Sequence, residues 1–163
     1  MKKINKRLKY RYMEIARIWS KNSHAIRKKV GAIIVKDGMI ISDGYNGTPS
    51  GFENECEEYL PCCDDLSKCT SMFGPQHCES CPCNRIVTKP YVLHAEANAI
   101  LTVAKSNNST EGATLFCTMS PCLECAKLII QSGIVEVYYD EEYHDKSGIE
   151  LLKRAKITCK KLL

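Results

Sequence analysis

Four residues in two short motifs have the types and the spacing that metal-assisted hydrolysis needs. The first motif is His94-Ala95-Glu96, and the second is Pro121-Cys122-Leu123-Glu124-Cys125. One imidazole nitrogen and two thiolates are ligands that Zn²⁺ prefers, and three protein ligands leave the fourth tetrahedral position open to water. Zinc lowers the pKa of such a water towards neutrality, and a nearby carboxylate can move its proton. The two motifs therefore predict a zinc centre that activates water.

Each motif by itself has a simpler interpretation. A C-x-x-C pair also occurs in structural zinc sites and redox motifs. A single histidine such as His94 is commonly a hydrogen-bonded core residue, and Glu96 alone is typical of a solvated helix face. The joint pattern adds a proline before the first cysteine and helical sequence after each motif. We interpret this combination as a catalytic site.

The composition is that of a globular protein. The chain has 163 residues, of which 44% are hydrophobic, and this suits a single domain with a sizeable core over residues 1–163. No apolar run approaches the length of a membrane span, and the basic N-terminal sequence lacks the apolar run of a signal peptide. The eleven cysteines, taken with the two motifs, favour reduced thiols and metal over a secreted disulfide scaffold. We therefore expect a cytoplasmic protein.

Positive charge is concentrated at the start of the chain. The net charge is +4, and residues 1–29 contain eleven Lys or Arg and one acid, Glu14. Such a segment can bind nucleic acid or attract phosphorylated small molecules, or it can be the solvated face of an amphipathic helix. Arg27 is the predicted phosphate ligand because its planar guanidinium matches phosphate oxygens. The alternative is a cation that faces solvent.

Hydrophobic periodicity predicts alternating helices and strands. A stripe over residues 6–21 predicts an amphipathic helix formed by Leu8, Tyr12, Ile15, Ala16 and Trp19. An Asp-Gly pair between two apolar runs predicts a hairpin at residues 30–41. The later segments are predicted as a helix from residue 94, a strand at 113–118, a helix at 122–132, a strand at 134–139, a helix at 147–155 and a strand at 156–160.

This order predicts an α/β fold in which helices pack on a sheet. The helices that begin at the two motifs should start at neighbouring strand ends, which would bring His94, Cys122 and Cys125 around one pocket. Residues 44–51 are predicted as a loop by their composition, and residues 52–92 show no clear period.

The motifs resemble those of the cytidine/deoxycytidylate deaminase superfamily, and within it those of the deoxycytidylate (dCMP) deaminases. The resemblance rests on residues 30–35, 44–51, 94–100 and 118–125. The G-Y-N-G-x-P-x-G sequence of residues 44–51 is typical of the dCMP branch. The resemblance implies a three-layer α-β-α sandwich around a mixed five-stranded sheet.

The same resemblance implies an activity and its regulation. The expected reaction is hydrolysis of dCMP to dUMP and ammonia, which supplies dUMP for thymidylate synthesis. Members of this family resemble one another in forming homo-oligomers, often hexamers. They are commonly activated by dCTP with Mg²⁺ and inhibited by dTTP, so these nucleotides are expected effectors. Neither a membrane nor nucleic acid is an expected partner.

Under the resemblance, His94, Cys122 and Cys125 bind the catalytic zinc ion, and Glu96 transfers the proton. These are the residues that the metal chemistry already indicates.

Three further residues are expected to contact the substrate. The resemblance implies that Asn46 hydrogen-bonds the sugar, and that the backbone amide of Ala95 and the carbonyl of Ser120 contact the pyrimidine edge. An asparagine side chain offers both a donor and an acceptor to a hydroxyl. The alternative for Asn46 is a turn residue that tolerates a left-handed conformation.

The cysteine-rich segment is expected to be an insertion at about residues 56–86, and it contains seven of the eleven cysteines. Its dense spacing predicts one or two additional structural zinc sites, for which Cys56, Cys78, Cys81 and Cys83 are candidate ligands. Cys62, Cys63 and Cys69 are further candidates, and the spacing does not decide which four sulfurs share a metal. Metal binding can supply the folding free energy that a segment without periodicity needs. A loop with reactive thiols or disulfides is the alternative.

The usual structural zinc site of the family differs from this one. It takes one cysteine from the segment before the first strand, where this chain reads Ser-His-Ala-Ile-Arg at residues 23–27. No cysteine is present there, so His24 would have to substitute.

Two other classes of function remain open. A tRNA or nucleic-acid-editing deaminase is favoured by the basic residues 1–29, and its binding would weaken steeply as salt rises. A non-catalytic, zinc-binding regulatory protein is the second class, and Glu96 argues against it because a purely structural site needs no such acid. A different nucleotide substrate, such as dCTP, also remains open.

Overall fold

The computed structural model describes residues 4–60 and 85–162. Within these residues it contains four helices and seven strands, in the order α1 (Lys6–Ser20), β1 (Gly31–Lys36), β2 (Met39–Tyr45), β3 (Glu57–Leu60), β4 (Arg85–Thr88), α2 (Ala95–Ala104), β5 (Thr114–Met119), α3 (Leu123–Gln131), β6 (Glu136–Glu141), α4 (Ser147–Arg154) and β7 (Thr158–Lys161).

Five of the strands form one mixed sheet in the order β2-β1-β5-β6-β7. Strand β1 is antiparallel to both β2 and β5, whereas β5, β6 and β7 run parallel. The parallel strands are joined through helices α3 and α4, as parallel connections require. The expected mixed five-stranded sheet is confirmed.

The two faces of the sheet are covered by different helices. Because side chains alternate along a strand, Ile33, Phe116 and Tyr138 face α1, and the buried residues of α1 on this face are Tyr12, Met13 and Ala16. The opposite face packs against α2, α3 and α4, and its larger core contains Ile34, Leu115, Val137, Ala99, Ile129 and Leu152. This arrangement confirms the predicted α-β-α sandwich.

Helix α1 matches the predicted range but not the predicted apolar stripe. Tyr12 and Ala16 are buried, whereas Leu8 is 40% exposed and Met13 is 1% exposed. The stripe was therefore wrong at its first member. Met13, which the stripe did not include, packs instead against Ile33 and Phe116 of the sheet.

The predicted hairpin between β1 and β2 is confirmed. Asp37 and Gly38 both have positive φ angles, 52° and 84°, as a two-residue turn of this type requires. The loop predicted from residue 44 was wrong at its start, because Gly44 and Tyr45 still belong to β2. Gly44 lies so close to α2 that a Cβ there would come within 2.6 Å of the Ala99 nitrogen.

One small sheet was not predicted, and two element boundaries differ from the predictions. Strands β3 and β4 form a two-stranded antiparallel sheet within residues 52–92, which show no clear period. Each strand has only four residues with mostly exposed side chains, so it contains too few apolar positions to reveal an alternation. The last strand begins at Thr158, since Lys156 has a φ of 61° and lies in a turn. Helix α2 ends at Ala104, before the predicted stop at Asn107.

In the described parts of the chain, no helix combines the length and the apolar content that a membrane span needs.

Candidate active site

The predicted metal ligands lie at the starts of two helices. His94 is the N-cap residue of α2, and Cys122 is the N-cap residue of α3. Two backbone hydrogen bonds between Gly47 and Leu93, of 3.1 and 2.9 Å, fix the chain just before His94. Close packing fixes Cys122, because a Cβ on Gly148 of α4 would come within 2.6 Å of the Cys122 carbonyl oxygen. Both ligand positions therefore rest on the core of the sandwich.

The three side chains converge on one point. The His94 Nδ1 atom is 3.4 Å from the Cys122 Sγ atom and 3.4 Å from the Cys125 Sγ atom. All three donor atoms lie within 4.8 Å of one another. Cys125 follows one turn after Cys122 on the same helix, so both sulfurs face His94.

This donor set fits a zinc ion. Zinc–sulfur bonds of about 2.3 Å and zinc–nitrogen bonds of about 2.1 Å at a tetrahedral angle place sulfur and nitrogen about 3.6 Å apart. The observed separations of 3.4 Å are close to that value. The set leaves one tetrahedral position without a protein ligand, so it has the composition of a catalytic rather than a structural site.

Cys122 is electrostatically suited to act as a thiolate. Its pKa is lowered to about 4, first because the Cys125 thiol donates a hydrogen bond to it and then through His94. The hydrogen bond with Cys122 raises the pKa of Cys125, and a separate hydrogen bond between Cys122 and His94 raises the pKa of His94. The N-terminus of α3 adds partial positive charge that stabilises thiolates.

Glu96 is a buried carboxylate beside these ligands. It is only 4% exposed, and burial raises its pKa, because removal from water penalises the charged form. A carboxyl group with a raised pKa can both accept and release a proton near neutral pH. Glu96 lies in the first turn of α2 and lines the same cavity as His94 and Cys122.

One cavity of about 250 Å³ is lined by two of the three metal ligands and by several of the predicted substrate residues. His94, Glu96 and Cys122 line it, and so do the basic residues Arg27 and Lys28. The remaining lining residues are Val30, Asn46, Glu57, Thr88, Val92, Met119, Ser120, Tyr143 and His144. The cavity thus combines metal-binding side chains with basic ones, and we call these two groups its metal end and its basic end.

Ser120 and Ala95 lie beside the metal ligands. Ser120 is 3% exposed. Its amide donates a hydrogen bond to the Glu141 carbonyl at 2.8 Å, and its hydroxyl accepts one from the Tyr143 amide at 2.7 Å. These bonds fix the backbone whose carbonyl is expected to contact a base. Ala95 is the first residue of α2, and amides in a first helical turn have no intrahelical acceptor. Both backbone groups are therefore suited to polar recognition.

Asn46 is a buried residue that holds the segment before β1. Its Oδ1 atom accepts a hydrogen bond from the Val30 amide at 2.8 Å, and its Nδ2 atom donates to the Lys28 carbonyl at 2.9 Å. An amide side chain has one further donor hydrogen and one further lone pair, and Asn46 lines the cavity. The structure therefore gives Asn46 a structural task that the sequence did not indicate.

Arg27 and Lys28 form the basic end of the cavity. The Arg27 Nη1 atom donates to the Thr88 hydroxyl at 3.1 Å, and the Lys28 Nζ atom lies 2.5 Å from the Glu141 carboxylate. Both side chains are exposed. The predicted phosphate ligand therefore lies in the same cavity as the metal ligands.

Several lining residues were missed by the sequence reasoning. Tyr143 and His144 follow β6, and their rings lie 4.1 Å apart. Glu57 and Thr88 belong to the two strands that were not predicted. The position of Tyr143 and His144 just after a strand end was an available signal, whereas Glu57 and Thr88 had none.

The additional zinc site falls mainly outside the described residues. Cys78, Cys81 and Cys83 lie there, whereas Cys56 is described and is 1% exposed. In residues 4–60 and 85–162, the one group of three potential metal ligands is the group formed by His94, Cys122 and Cys125. Burial raises the pKa of the Cys56 thiol.

Residues 6–141 match the family model described as the cytidine and deoxycytidylate deaminase zinc-binding region. The chain is 38% identical over 147 residues to the deoxycytidylate deaminase of Enterobacteria phage T4, which covers 80% of this chain and 76% of that protein. It is 33% identical over 150 residues to the deoxycytidylate deaminase of Saccharomyces cerevisiae, which covers 91% of this chain and 43% of that protein.

A solved structure shows the same similarity across nearly the whole chain. The dCMP deaminase of cyanophage S-TIM5, in complex with dCMP and dUMP, superposes with a TM-score of 0.77 at 39% identity, covering 98% of this chain and 99% of that one. The sandwich fold and the convergent histidine and cysteines agree with these matches. The chain therefore belongs to the cytidine and deoxycytidylate deaminase family.

Proposed function

We propose that this protein hydrolyses dCMP to dUMP and ammonia. One observation carries the proposal: a zinc-type donor set and a buried carboxylate adjoin a single cavity that two basic side chains also line. A nucleoside monophosphate has the matching polarity, with a reactive base at one end and a phosphate at the other. The similarity to deoxycytidylate deaminases supports the choice of dCMP.

We assign the zinc ion to the Nδ1 atom of His94 and the Sγ atoms of Cys122 and Cys125. When bound, zinc supplies a water of lowered pKa at neutral pH. His94 and Cys122 cap α2 and α3, and Cys125 lies within α3. Both helices share a core with the sheet, so the three residues hold this centre rigidly. Rigid placement matters because the attacking oxygen must meet one ring carbon in the correct orientation.

Glu96 is the proposed proton carrier. It accepts one proton from the attacking water and delivers it to N3, the ring nitrogen next to the reacting carbon. It then takes the second proton from the hydroxyl that the water leaves on C4 and delivers it to the departing amine. Water adds at C4 of the cytosine ring, the bond from C4 to the exocyclic nitrogen breaks, and ammonia leaves. The raised pKa that burial gives Glu96 suits a group that must both take up and release a proton.

We propose that the Ala95 amide and the Ser120 carbonyl bind the pyrimidine edge. One is a donor and the other an acceptor, which matches the ring carbonyl and the exocyclic amine of cytosine. The hydrogen bonds from Ser120 to Glu141 and from Tyr143 to Ser120 support this role, because a fixed carbonyl can discriminate between donors and acceptors on a base.

Asn46 and Arg27 are the proposed ligands of the sugar and the phosphate. The free hydrogen and lone pair of the Asn46 amide suit a deoxyribose hydroxyl. The guanidinium of Arg27 can form two parallel hydrogen bonds with phosphate oxygens, and Lys28 adds charge beside it.

Ammonia release tests this proposal. We would measure it with purified protein on dCMP, dCTP, deoxycytidine, CMP and a tRNA anticodon stem-loop, each at low and high salt. Turnover of dCMP with a shallow salt dependence is expected, because one phosphate contributes few charge contacts. Turnover of the RNA alone, with a steep salt dependence, would assign the protein to nucleic-acid editing. A lack of turnover on every substrate would refute the proposed enzyme.

Several finer assignments belong to the same proposal. We propose that the dUMP product supplies thymidylate synthesis, and that the protein forms a homo-oligomer, with a hexamer as the expected size. We expect activation by dCTP with Mg²⁺ and inhibition by dTTP. The cytoplasm is the proposed compartment, because thiolate ligands require reduced cysteines.

A second zinc ion, bound within the cysteine-rich segment, is a separate proposal. Its support is the spacing of Cys78, Cys81 and Cys83 in the sequence, together with Cys56. Metal analysis should return more than one zinc ion per chain. A clean value of about one zinc per chain would refute this additional site.

A further inference from the structure

Two residues from distant parts of the chain lie opposite each other on the small sheet and both contact the Arg27 segment. Glu57 of β3 pairs in register with Thr88 of β4. Glu57 binds the backbone of residues 26–27, and Thr88 binds the Arg27 side chain. Both residues also line the cavity. The small sheet therefore holds both the backbone and the side chain of one predicted ligand.

The Glu57 carboxylate fixes the backbone. Its Oε2 atom accepts a hydrogen bond from the Ile26 amide at 3.0 Å, and its Oε1 atom accepts one from the Arg27 amide at 3.2 Å. Hydrogen bonds to a charged acceptor are stronger than neutral ones. Because both oxygens are used on successive amides, the direction in which the Arg27 side chain leaves the backbone is set.

The Thr88 hydroxyl fixes the guanidinium. It accepts a hydrogen bond from the Arg27 Nη1 atom at 3.1 Å. An exposed arginine otherwise samples many rotamers, and ordering it on a ligand has an entropic cost. A bond that already selects one rotamer lowers this cost, and the remaining guanidinium donors stay available to an anion.

We infer that Glu57 and Thr88 are positioning residues that hold Arg27 ready for the substrate phosphate. The inference rests on the proposed function and deepens it, because it explains how an exposed side chain gives selective binding of a monophosphate. Positioning should act on substrate affinity through the phosphate and leave the chemistry at the metal end unchanged.

Four substitutions test the two residues. Thr88→Val removes the hydroxyl and keeps a β-branched side chain in the strand, whereas Thr88→Ser restores the hydroxyl. Glu57→Asp keeps the charge but is too short to reach both amides. Glu58→Asp is the matched control, because successive side chains of a strand point to opposite faces.

The readouts are kcat and KM for dCMP, and the inhibition constant of deoxycytidine, which lacks the phosphate. Thr88→Val and Glu57→Asp should each raise the KM for dCMP by about threefold to tenfold, with kcat and the deoxycytidine constant unchanged. Thr88→Ser and Glu58→Asp should behave like the unsubstituted protein. In an Arg27→Ala background, Thr88→Val should have no further effect on KM, since interacting residues are not additive.

Three results would overturn the inference. An unchanged KM for dCMP in both variants would exclude the positioning role. An inhibition constant of deoxycytidine that rises as much as the KM for dCMP would also exclude it, because it would indicate general distortion of the site. A full effect of Thr88→Val in the Arg27→Ala background would show that Thr88 does not act through Arg27. Failure of the unsubstituted protein to turn over dCMP contradicts the proposed function itself and this inference with it.

Discussion

The two ends of the cavity are built in different ways. At the metal end, His94 and Cys122 begin helices that pack on the main sheet, and Glu96 and Cys125 are buried. At the basic end, Arg27 is exposed and depends on side-chain hydrogen bonds from a two-stranded sheet outside the main one. The metal end thus rests on the core, and the basic end rests on surface contacts.

This difference follows from the task of each end. Proton transfer and bond cleavage need donors and acceptors fixed within a fraction of an ångström, and packed helices supply that precision. A phosphate is large and charged and can be bound by groups that remain near solvent. Damage at the metal end should therefore affect turnover, and damage at the basic end should affect substrate affinity.

The largest effect is expected from removing a metal ligand. In Cys125→Ala, turnover should fall to the background rate and the zinc content should fall by about one ion per chain, because the two remaining protein ligands hold zinc weakly. Metal analysis and ammonia release measure the two effects. Cys159→Ala is the control, since Cys159 is half-buried on β7 and is not part of the ligand group. Undiminished turnover in Cys125→Ala would contradict the assigned centre.

Glu96→Gln should have the next largest effect. It should lower kcat by about 10²- to 10⁴-fold, because a neutral amide cannot carry the proton. Zinc content should not change. The melting temperature should hold or rise, since burial penalises the charged form of Glu96. Normal turnover in this variant would exclude Glu96 as the proton carrier.

Arg27→Ala should raise the KM for dCMP by about tenfold, because a charge-assisted hydrogen bond to phosphate is lost. The value of kcat should change little, and inhibition by deoxycytidine should not change. Lys29→Ala is the matched control, because Lys29 is an exposed neighbour that does not line the cavity. Equal effects of the two substitutions would mean that the basic end attracts substrate only through general charge.

The smallest effect is expected from an ion pair away from the cavity. Arg17 and Asp140 form two hydrogen bonds of 2.7 Å, and the hydrogen bond from Arg17 is the main reason that the pKa of Asp140 lies below its ordinary value of 3.8. Asp140→Asn should lower the free energy of unfolding at pH 7 by about 0.5 kcal/mol, as expected for a partly exposed pair, with turnover unchanged.

The pH dependence of this pair has a defined sign. A carboxylate with a lowered pKa in the folded state stabilises the fold above its ordinary pKa of 3.8, and this contribution disappears as the pH falls through the lower, folded value. Denaturant unfolding of both proteins between pH 7 and pH 3 should show the difference shrinking towards acid. A difference that grows towards acid would contradict this assignment.

The metal end could be predicted from the sequence because its chemistry is local. Cys122 and Cys125 are three positions apart, which is about one helical turn and places both sulfurs on one side. His94 is the N-cap residue of α2, and Glu96 lies two positions later in its first turn, so both belong to the start of one helix. The hairpin between β1 and β2 could also be predicted, because few dipeptides other than Asp-Gly adopt two positive φ angles in succession.

The basic end could not be predicted in the same way. The Thr88 side chain acts on Arg27 across 61 positions of the chain, and no periodic pattern marks strands β3 and β4. The structural task of Asn46 was hidden for the same reason, because its partners Val30 and Lys28 come from a segment 16 to 18 positions earlier. Local patterns carry no information about pairings of this kind.

The most direct test of the two-ended cavity is a crystal structure of zinc-loaded Glu96→Gln with dCMP. This variant should bind the substrate without turning it over. We expect the pyrimidine beside His94 and Cys122, and the phosphate within hydrogen-bond distance of Arg27. A nucleotide bound in the opposite direction, or outside the cavity that His94 and Arg27 share, would contradict this expectation.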